Sequence, residues 1–140
     1  MSQRKDAKTQ RLDRNSLDKI SRVIVTKAIQ AHSKLGPGLL ESVYRVCLVY
    51  ELRNAGLHVV AEQLVPILYD GVLQLDHGYR LDLMVEDEII VEVKAVEKML
   101  PVHGAQLLSY LRLTDRRLGL LLNFNAPRLV EGLRRVVNKF

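Results

Sequence analysis

Apolar and polar residues alternate along residues 79–94, which read YRLDLMVEDEIIVEVK. This period of two is typical of β-strands, and the acidic residues 86–88 mark a turn between two runs. Folding about residue 87 places Asp82 across from Glu92, with Lys94 two residues further on the same side. The pattern therefore predicts a hairpin with two carboxylates and an amine on one face. On its other face we expect six buried residues: Leu81, Leu83, Val85, Ile89, Val91 and Val93.

The same reading assigns the rest of the chain to helices and strands. Gly36-Pro37-Gly38 separates two helical stripes, and Asp70-Gly71 is a strong hairpin turn. Pro66 favours an edge strand, whereas the apolar run 118–124 is typical of a central strand that lies parallel to a neighbour. The pattern predicts helices at 16–34, 39–54, 101–113 and 129–137, and strands at 57–69, 72–75 and 118–124, with residues 76–78 as a turn that includes His77.

Length and composition narrow the class of protein. A chain of 140 residues with 48% hydrophobic content has room for one core, hence one domain. It contains neither an apolar run of membrane-spanning length nor an N-terminal apolar signal segment. The single cysteine, Cys47, excludes an internal disulfide and is expected to pack in the core. These features indicate a cytoplasmic protein without a membrane partner.

The positive charge is concentrated at the two ends of the chain. The net charge is +5, yet residues 1–14 and residues 128–140 each carry +3, so the intervening chain is nearly neutral. Basic ends suit a polyanion, because contacts with phosphates release counterions. Alternatively, the N-terminal charges only solubilise a disordered tail. We expect a basic flexible tail at residues 1–15 and a single domain at residues 16–140.

Burying two carboxylates and an amine on apolar strands is costly without a partner. A divalent cation offsets this cost, since Mg²⁺ takes one or two carboxylate ligands and keeps several waters. The alternative is an exposed salt bridge on a solvated sheet face.

Two motifs carry a resemblance to a known family. Asp82, Glu92 and Lys94 have a spacing that resembles the D…(D/E)xK signature of the PD-(D/E)xK nuclease superfamily, although residue 81 is Leu where that name has Pro. Residues 38–44 read G-x-x-E-x-x-Y and are similar to the GxxExxY family, a branch of this superfamily. The likeness extends from about Ile20 to Val137. It implies a restriction-endonuclease-like α/β core, with a central mixed sheet flanked by helices.

The resemblance also implies a site. Glu41, Asp82 and Glu92, with the backbone carbonyl of Val93, would hold Mg²⁺ or Mn²⁺, and Lys94 would orient the attacking water. Without the resemblance, Glu41 could simply favour the helix dipole. Gln106-x-x-x-Tyr110 resembles a motif of RecB-like nucleases that contacts the site or the nucleic-acid backbone. Two further candidates for phosphate contact, with a solvated face as the alternative, are Arg134 and Arg135.

The implied reaction is hydrolysis of phosphodiester bonds, with DNA as the first candidate substrate. The alternative is a catalytically silent module on the same fold that binds nucleic acid or a partner protein. Aromatic residues make up only 5% of the chain and show no stacking platform in the sequence. A two-fold homodimer is the expected assembly.

Overall fold

The computed structural model describes residues 11–140, apart from the side chains of Asp76 and His77. Within this range, five strands form one sheet in the order β1-β2-β3-β4-β5. Neighbouring strands are antiparallel, except that β3 and β4 are parallel. The elements are α1 (Arg14–Leu35), α2 (Glu41–Asn54), β1 (Val59–Tyr69), β2 (Leu73–Val85), β3 (Ile89–Lys94), α3 (Pro101–Thr114), β4 (Leu118–Asn123) and β5 (Leu133–Val137).

Apolar side chains cover both faces of the sheet. On one face, α1 and α2 pack over Leu83, Val91 and Leu120 in the larger buried cluster. On the other face, Leu107 and Leu111 of α3 pack over Ile90 in a second cluster. The predicted architecture, a mixed sheet flanked by helices, is therefore confirmed, and the strands with the strongest apolar runs lie at its centre.

Several predicted boundaries are confirmed. Pro66 lies on the edge strand β1, where the register of β1 with β2 shifts between Val65 and Ile67. Asp70 and Gly71 turn the chain with positive φ angles of 59° and 71°. The acidic turn between β2 and β3 also lies where the alternation ended.

The start of the first helix differs from the prediction. Helix α1 begins at Arg14, because the side chain of Asp13 accepts a hydrogen bond from the backbone N–H of Ser16 at 2.8 Å. Leu12 packs against the core, and its carbonyl accepts a hydrogen bond of 2.6 Å from Arg117. Residues 11–15 of the predicted tail thus belong to the folded body, and residues 1–10 lie outside the described range.

Two elements were predicted wrongly. The strand expected at 72–75 does not stop at a turn, since β2 continues through residues 76–78 as far as Val85. The final helix is instead a short 3-10 turn, Leu129–Gly132, followed by β5. Strand β5 pairs with the open edge of β4, and these hydrogen bonds outweigh the weak helical pattern of residues 133–137.

No helix within residues 11–140 combines the length and the apolar character needed to cross a membrane.

Candidate active site

Strands β2 and β3 hold the two predicted carboxylates side by side. Leu83 and Val91 form the last pair of the β2–β3 ladder on this side. The same register places Asp82 level with Glu92 one position further on. There the carboxylates replace the backbone acceptors. Asp82 Oδ2 accepts from the N–H of Val93 at 2.8 Å, and Glu92 Oε2 accepts from the N–H of Asp82 at 3.0 Å. Each side chain is thereby fixed by the strand of the other.

Strand β2 is also irregular on its other side at this point. The β1–β2 ladder pairs Ala61 with Leu83 and Gln63 with Leu81, but it omits a pair between Glu62 and Asp82. Glu62 has a positive φ of 53°, which is rare for a residue other than glycine. Leu81 consequently packs in the cluster beneath α3, whereas Leu83 packs beneath α1 and α2. The prediction that all six apolar residues share one face is therefore wrong for Leu81, although all six are buried.

Burial changes the protonation of the pair. Only 6% of the surface of Glu92 is exposed. This burial, followed by the charge of Asp82, raises the pKa of Glu92 to about 8. Burial also raises the pKa of Asp82, against the opposing hydrogen bond from Val93. The burial of Glu92 excludes the alternative of an exposed salt bridge on a wet face.

Glu41 reaches this site from the first turn of α2. The hydroxyl of Tyr44 donates to the carbonyl of Gly36 at 2.6 Å and accepts from the N–H of Leu39 at 3.0 Å. The ring of Tyr44 is fully buried and stacks on Phe124, with ring centroids 4.8 Å apart. The tyrosine of the G-x-x-E-x-x-Y string thus fixes the loop that starts α2. Glu41 is half-buried, and its charge contributes to the raised pKa values of Asp82 and Glu92.

Lys94 ends β3 beside the carboxylates, and its charge lowers the pKa of both. The carbonyl of Lys94 accepts a hydrogen bond of 2.8 Å from the N–H of Phe124. Val96, two residues after Lys94, is held by the buried side-chain amide of Asn123. Asn123 Oδ1 accepts from the N–H of Val96 at 3.1 Å, and Asn123 Nδ2 donates to the carbonyl of Val96 at 2.9 Å. The chain that carries Lys94 is therefore anchored to β4 immediately after the lysine.

The sequence reasoning missed one charged residue at the site, Arg45, and gave no role to two charged residues next to it, Glu62 and Arg80. Arg45 lies four residues after Glu41 on α2, and its charge lowers the pKa of Asp82. Both Arg45 and Arg80 contact Glu62, at 3.7 Å and 3.4 Å. The i,i+4 spacing of Glu41 and Arg45 was the available signal in the sequence. The contacts of Glu62 depend on the β1–β2 register and had no local signal.

Helix α3 brings one member of the Gln106-x-x-x-Tyr110 string to the carboxylates. The pKa of Tyr110 is raised to about 12 by burial and then by the charges of Glu92, Tyr79 and Asp82. Gln106 lies one turn earlier on α3 and is exposed. A role for Gln106 at the site stays a prediction.

The two arginines of β5 do not form a pair. Since β5 is a strand, Arg134 and Arg135 lie on opposite faces of the sheet. The register places Arg134 level with Leu121 and Glu92, two strands from the carboxylate. Arg135 contacts Asp18 of α1 at 3.0 Å. The predicted phosphate contacts of both residues stay predictions, and the geometry favours Arg134.

The donor set can be tested against a divalent cation. Among the described residues, no group of three His, Cys, Asp or Glu side chains stands close enough to hold a metal ion. The adjacent carboxylates of Asp82 and Glu92 are nevertheless the hard oxygen ligands that Mg²⁺ prefers, and Mg²⁺ binds through only one or two carboxylates plus water. Burial and then the charge of the neighbouring carboxylates raise the pKa values of Glu92 and Asp82, and a bound cation would offset both effects. The residues fit Mg²⁺ or Mn²⁺ in this manner.

Comparison with known families agrees with this geometry. The sequence profile of the PD-(D/E)XK nuclease superfamily matches residues 18–136. The chain belongs to this superfamily. No curated protein and no solved structure matches the chain significantly.

Proposed function

We propose that the protein is a metal-dependent nuclease that hydrolyses phosphodiester bonds, with DNA as its substrate. The observation that carries this proposal is the pair of half-buried Asp82 and buried Glu92, with Lys94 beside them. Their carboxylates accept hydrogen bonds from the backbone N–H groups of Val93 and Asp82, respectively. Membership of the superfamily supports a nuclease. The G-x-x-E-x-x-Y string, with Tyr44 holding the loop before Glu41, supports placement in the GxxExxY branch.

The acidic side chains have the binding role. Asp82, Glu92 and the carbonyl of Val93 would hold the cation. Within the part of the chain that the structure describes, Glu41 does not complete a set of three carboxylates close enough to hold the ion, and it would act on the site through its charge from α2. When bound, Mg²⁺ or Mn²⁺ would polarise a phosphoryl oxygen and lower the pKa of a bound water. Lys94 orients the attacking water and stabilises negative charge that develops on the phosphate.

The arginines near the site supply a place for the substrate backbone. Arg45 and Arg80 share one carboxylate, that of Glu62, so one positive charge in this cluster is left over. The side chain of Arg80 is 61% exposed. Guanidinium groups bind phosphates with well-directed hydrogen bonds, and we assign this role first to Arg80 and next to Arg134. Gln106 and Tyr110 would steady the nucleotide from α3.

For the assembly, we propose a two-fold homodimer formed through the β1–β2 hairpin. The part of this hairpin far from β3 exposes six apolar side chains: Leu64, Leu68, Tyr69, Val72, Leu73 and Leu75. Residues 63–75, the part of the hairpin far from β3, contain neither Lys nor Arg, which disfavours binding of a polyanion to this part. Sedimentation that shows only monomers at high concentration would refute the dimer.

A cytoplasmic location completes the proposal. It is supported by the sequence, in which a single half-buried cysteine allows no internal disulfide. Fractionation of cells that produce the tagged protein would test it.

The nuclease proposal is tested by incubating the purified protein with single- and double-stranded DNA in Mg²⁺ or Mn²⁺. We expect metal-dependent cleavage that falls about 100-fold or more in Lys94→Ala, as for the loss of one group that stabilises transition-state charge. The control is Lys98→Ala, which removes an exposed lysine four residues later and should leave the rate unchanged. Equal rates for Lys94→Ala and wild type would refute the proposed role.

The same assay separates the enzyme from a silent binding module. The module is favoured if DNA binding survives Asp82→Asn while neither this variant nor wild type cleaves any substrate. RNA of the same sequence should be included, since the carboxylates and Lys94 do not themselves distinguish the two nucleic acids.

A further inference from the structure

Two tyrosines from different elements meet at the rim of the active site. Tyr79 of β2 and Tyr110 of α3 have ring centroids 4.6 Å apart, with an interplanar angle of 54°. Tilted contacts at this distance are favourable between aromatic rings, so each ring holds the other in place. Leu81, two residues after Tyr79, is fully buried beneath α3, whereas Tyr79 itself is 39% exposed. Part of an aromatic surface, held rigid from below, is thus open to solvent.

This aromatic pair lies beside the carboxylates. Tyr110 packs against the cluster that contains Leu81 and Ile90, which lie one residue from Asp82 and two residues from Glu92, respectively, on their strands. Tyr79 precedes Asp82 by three residues on the same strand. A nucleotide whose phosphate lies at the carboxylates would therefore have its base within reach of these rings.

We propose that Tyr79 and Tyr110 form a stacking surface for an unpaired base, and that the enzyme acts on single-stranded nucleic acid in preference to intact duplex. This inference rests on the proposed nuclease function and names its substrate class. In a duplex the bases stack on one another, so that side chains reach only their edges. An aromatic side chain can stack on a base only where the base is unpaired.

The distribution of charge around Tyr79 fits a single strand. Successive side chains of an extended strand leave on opposite faces, so Arg80 points away from Tyr79 and lies with Glu62 and Arg45. A single strand has phosphates on one side and bases on the other, which matches this separation of Arg80 from Tyr79. On the other side, residues 63–79 provide no Lys or Arg for the second backbone of a duplex.

Binding tests the stacking surface without cleavage. A labelled oligonucleotide is titrated in EDTA, as a single strand and as a blunt duplex, and anisotropy is recorded. Wild type should bind the single strand more tightly, and Tyr79→Leu should weaken this binding roughly tenfold with little change for the duplex. Tyr79→Phe keeps the ring and should bind as wild type does. Tyr50→Leu removes an exposed tyrosine of α2 and serves as the control.

A second variant reports on stacking directly. The chain contains no tryptophan, so Tyr79→Trp places a unique fluorophore at the rim. Its emission should be quenched by the single strand and unchanged by the duplex, and this readout does not depend on the folding of Tyr79→Leu. Two results would overturn the inference. One is equal affinity of wild type for the single strand and the duplex; the other is single-strand binding unchanged in Tyr79→Leu together with emission of Tyr79→Trp unchanged by the single strand.

The two proposals fail in different ways. If wild type cleaves single strand and duplex equally and Tyr79→Leu cleaves as wild type does, the stacking surface is refuted and the nuclease stands. If no substrate is cleaved but the single strand still binds through Tyr79, the nuclease is refuted and the stacking surface stands.

Discussion

Replacing Glu92 by glutamine tests the central feature of the site, a carboxylate buried beside another carboxylate. Glutamine has nearly the same shape, and its side-chain oxygen can still accept the hydrogen bond from the N–H of Asp82. The substitution therefore removes a charge and little else. We expect Glu92→Gln to make the metal-free protein more stable at alkaline pH while it abolishes cleavage.

The pKa of Glu92 sets the size and the pH window of this effect. Its value is about 8 in the folded protein against an ordinary 4.5, so the protonated carboxyl stabilises the fold below about pH 4.5 and this contribution is lost as the pH rises to about 8. At about 1.4 kcal/mol per pKa unit, full ionisation costs up to about 5 kcal/mol. Because Asp82 shares the titration, we expect Glu92→Gln to recover about 2 to 4 kcal/mol above pH 8.

The assay is urea unfolding in EDTA at about pH 5 and about pH 9, for wild type, Glu92→Gln and the control Glu97→Gln. Glu97 is exposed, so its variant should track wild type at both pH values. Glu92→Gln should differ from wild type by about 1 kcal/mol or less near pH 5 and exceed it by a larger amount near pH 9. A variant no more stable than wild type near pH 9 would show that Glu92 ionises without cost, and the proposed site would lose its electrostatic basis.

Two further predictions concern metal binding by the carboxylate pair and the packing around a glycine of β2. The affinity for Mn²⁺, measured by calorimetry, should rise with pH up to about 8 and then level off, since a proton must leave the carboxylate pair before the cation binds; a flat profile between about pH 6 and 8 would contradict this. A Cβ added to Gly78 would lie 2.1 Å from the carbonyl oxygen of Val65, so Gly78→Ala should lower the free energy of unfolding by about 2 kcal/mol or more. The matched change Gly104→Ala, in helix α3 with no atom within 4 Å of the added Cβ, should raise it by about 0.5 to 1 kcal/mol.

The alternation of residues 79–94 predicted the most consequential feature, because a period of two fixes both the strands and the turn that joins them. Once the turn falls at residue 87, Asp82 must lie level with Glu92, and the ladder confirms this register. Two other local features also predicted the fold correctly. The Gly-Pro-Gly break predicted the boundary between the first two helices through its backbone preference, and the apolar run of β4 predicted a buried central strand.

The final strand shows what a local pattern cannot determine. Residues 133–137 read LRRVV, which suits a strand or a short helix equally. The strand forms because the free edge of β4 has backbone groups that need hydrogen-bond partners. That edge is a product of the tertiary structure, in which the other edge of β4 pairs with β3. The resulting strand separates Arg134 from Arg135, so the error in one element also changed the candidate site.

The sequence by itself determined the hairpin that places Asp82 level with Glu92, with Lys94 at the end of its second strand, since this depends on spacing within two neighbouring elements. Only the tertiary structure decided which side chains surround them. The contacts of Glu62 with Arg45 and Arg80 join residues 17 and 18 positions apart, and the contact of Tyr79 with Tyr110 joins residues 31 positions apart. Such contacts depend on the twist and register of the whole sheet, which no local pattern encodes.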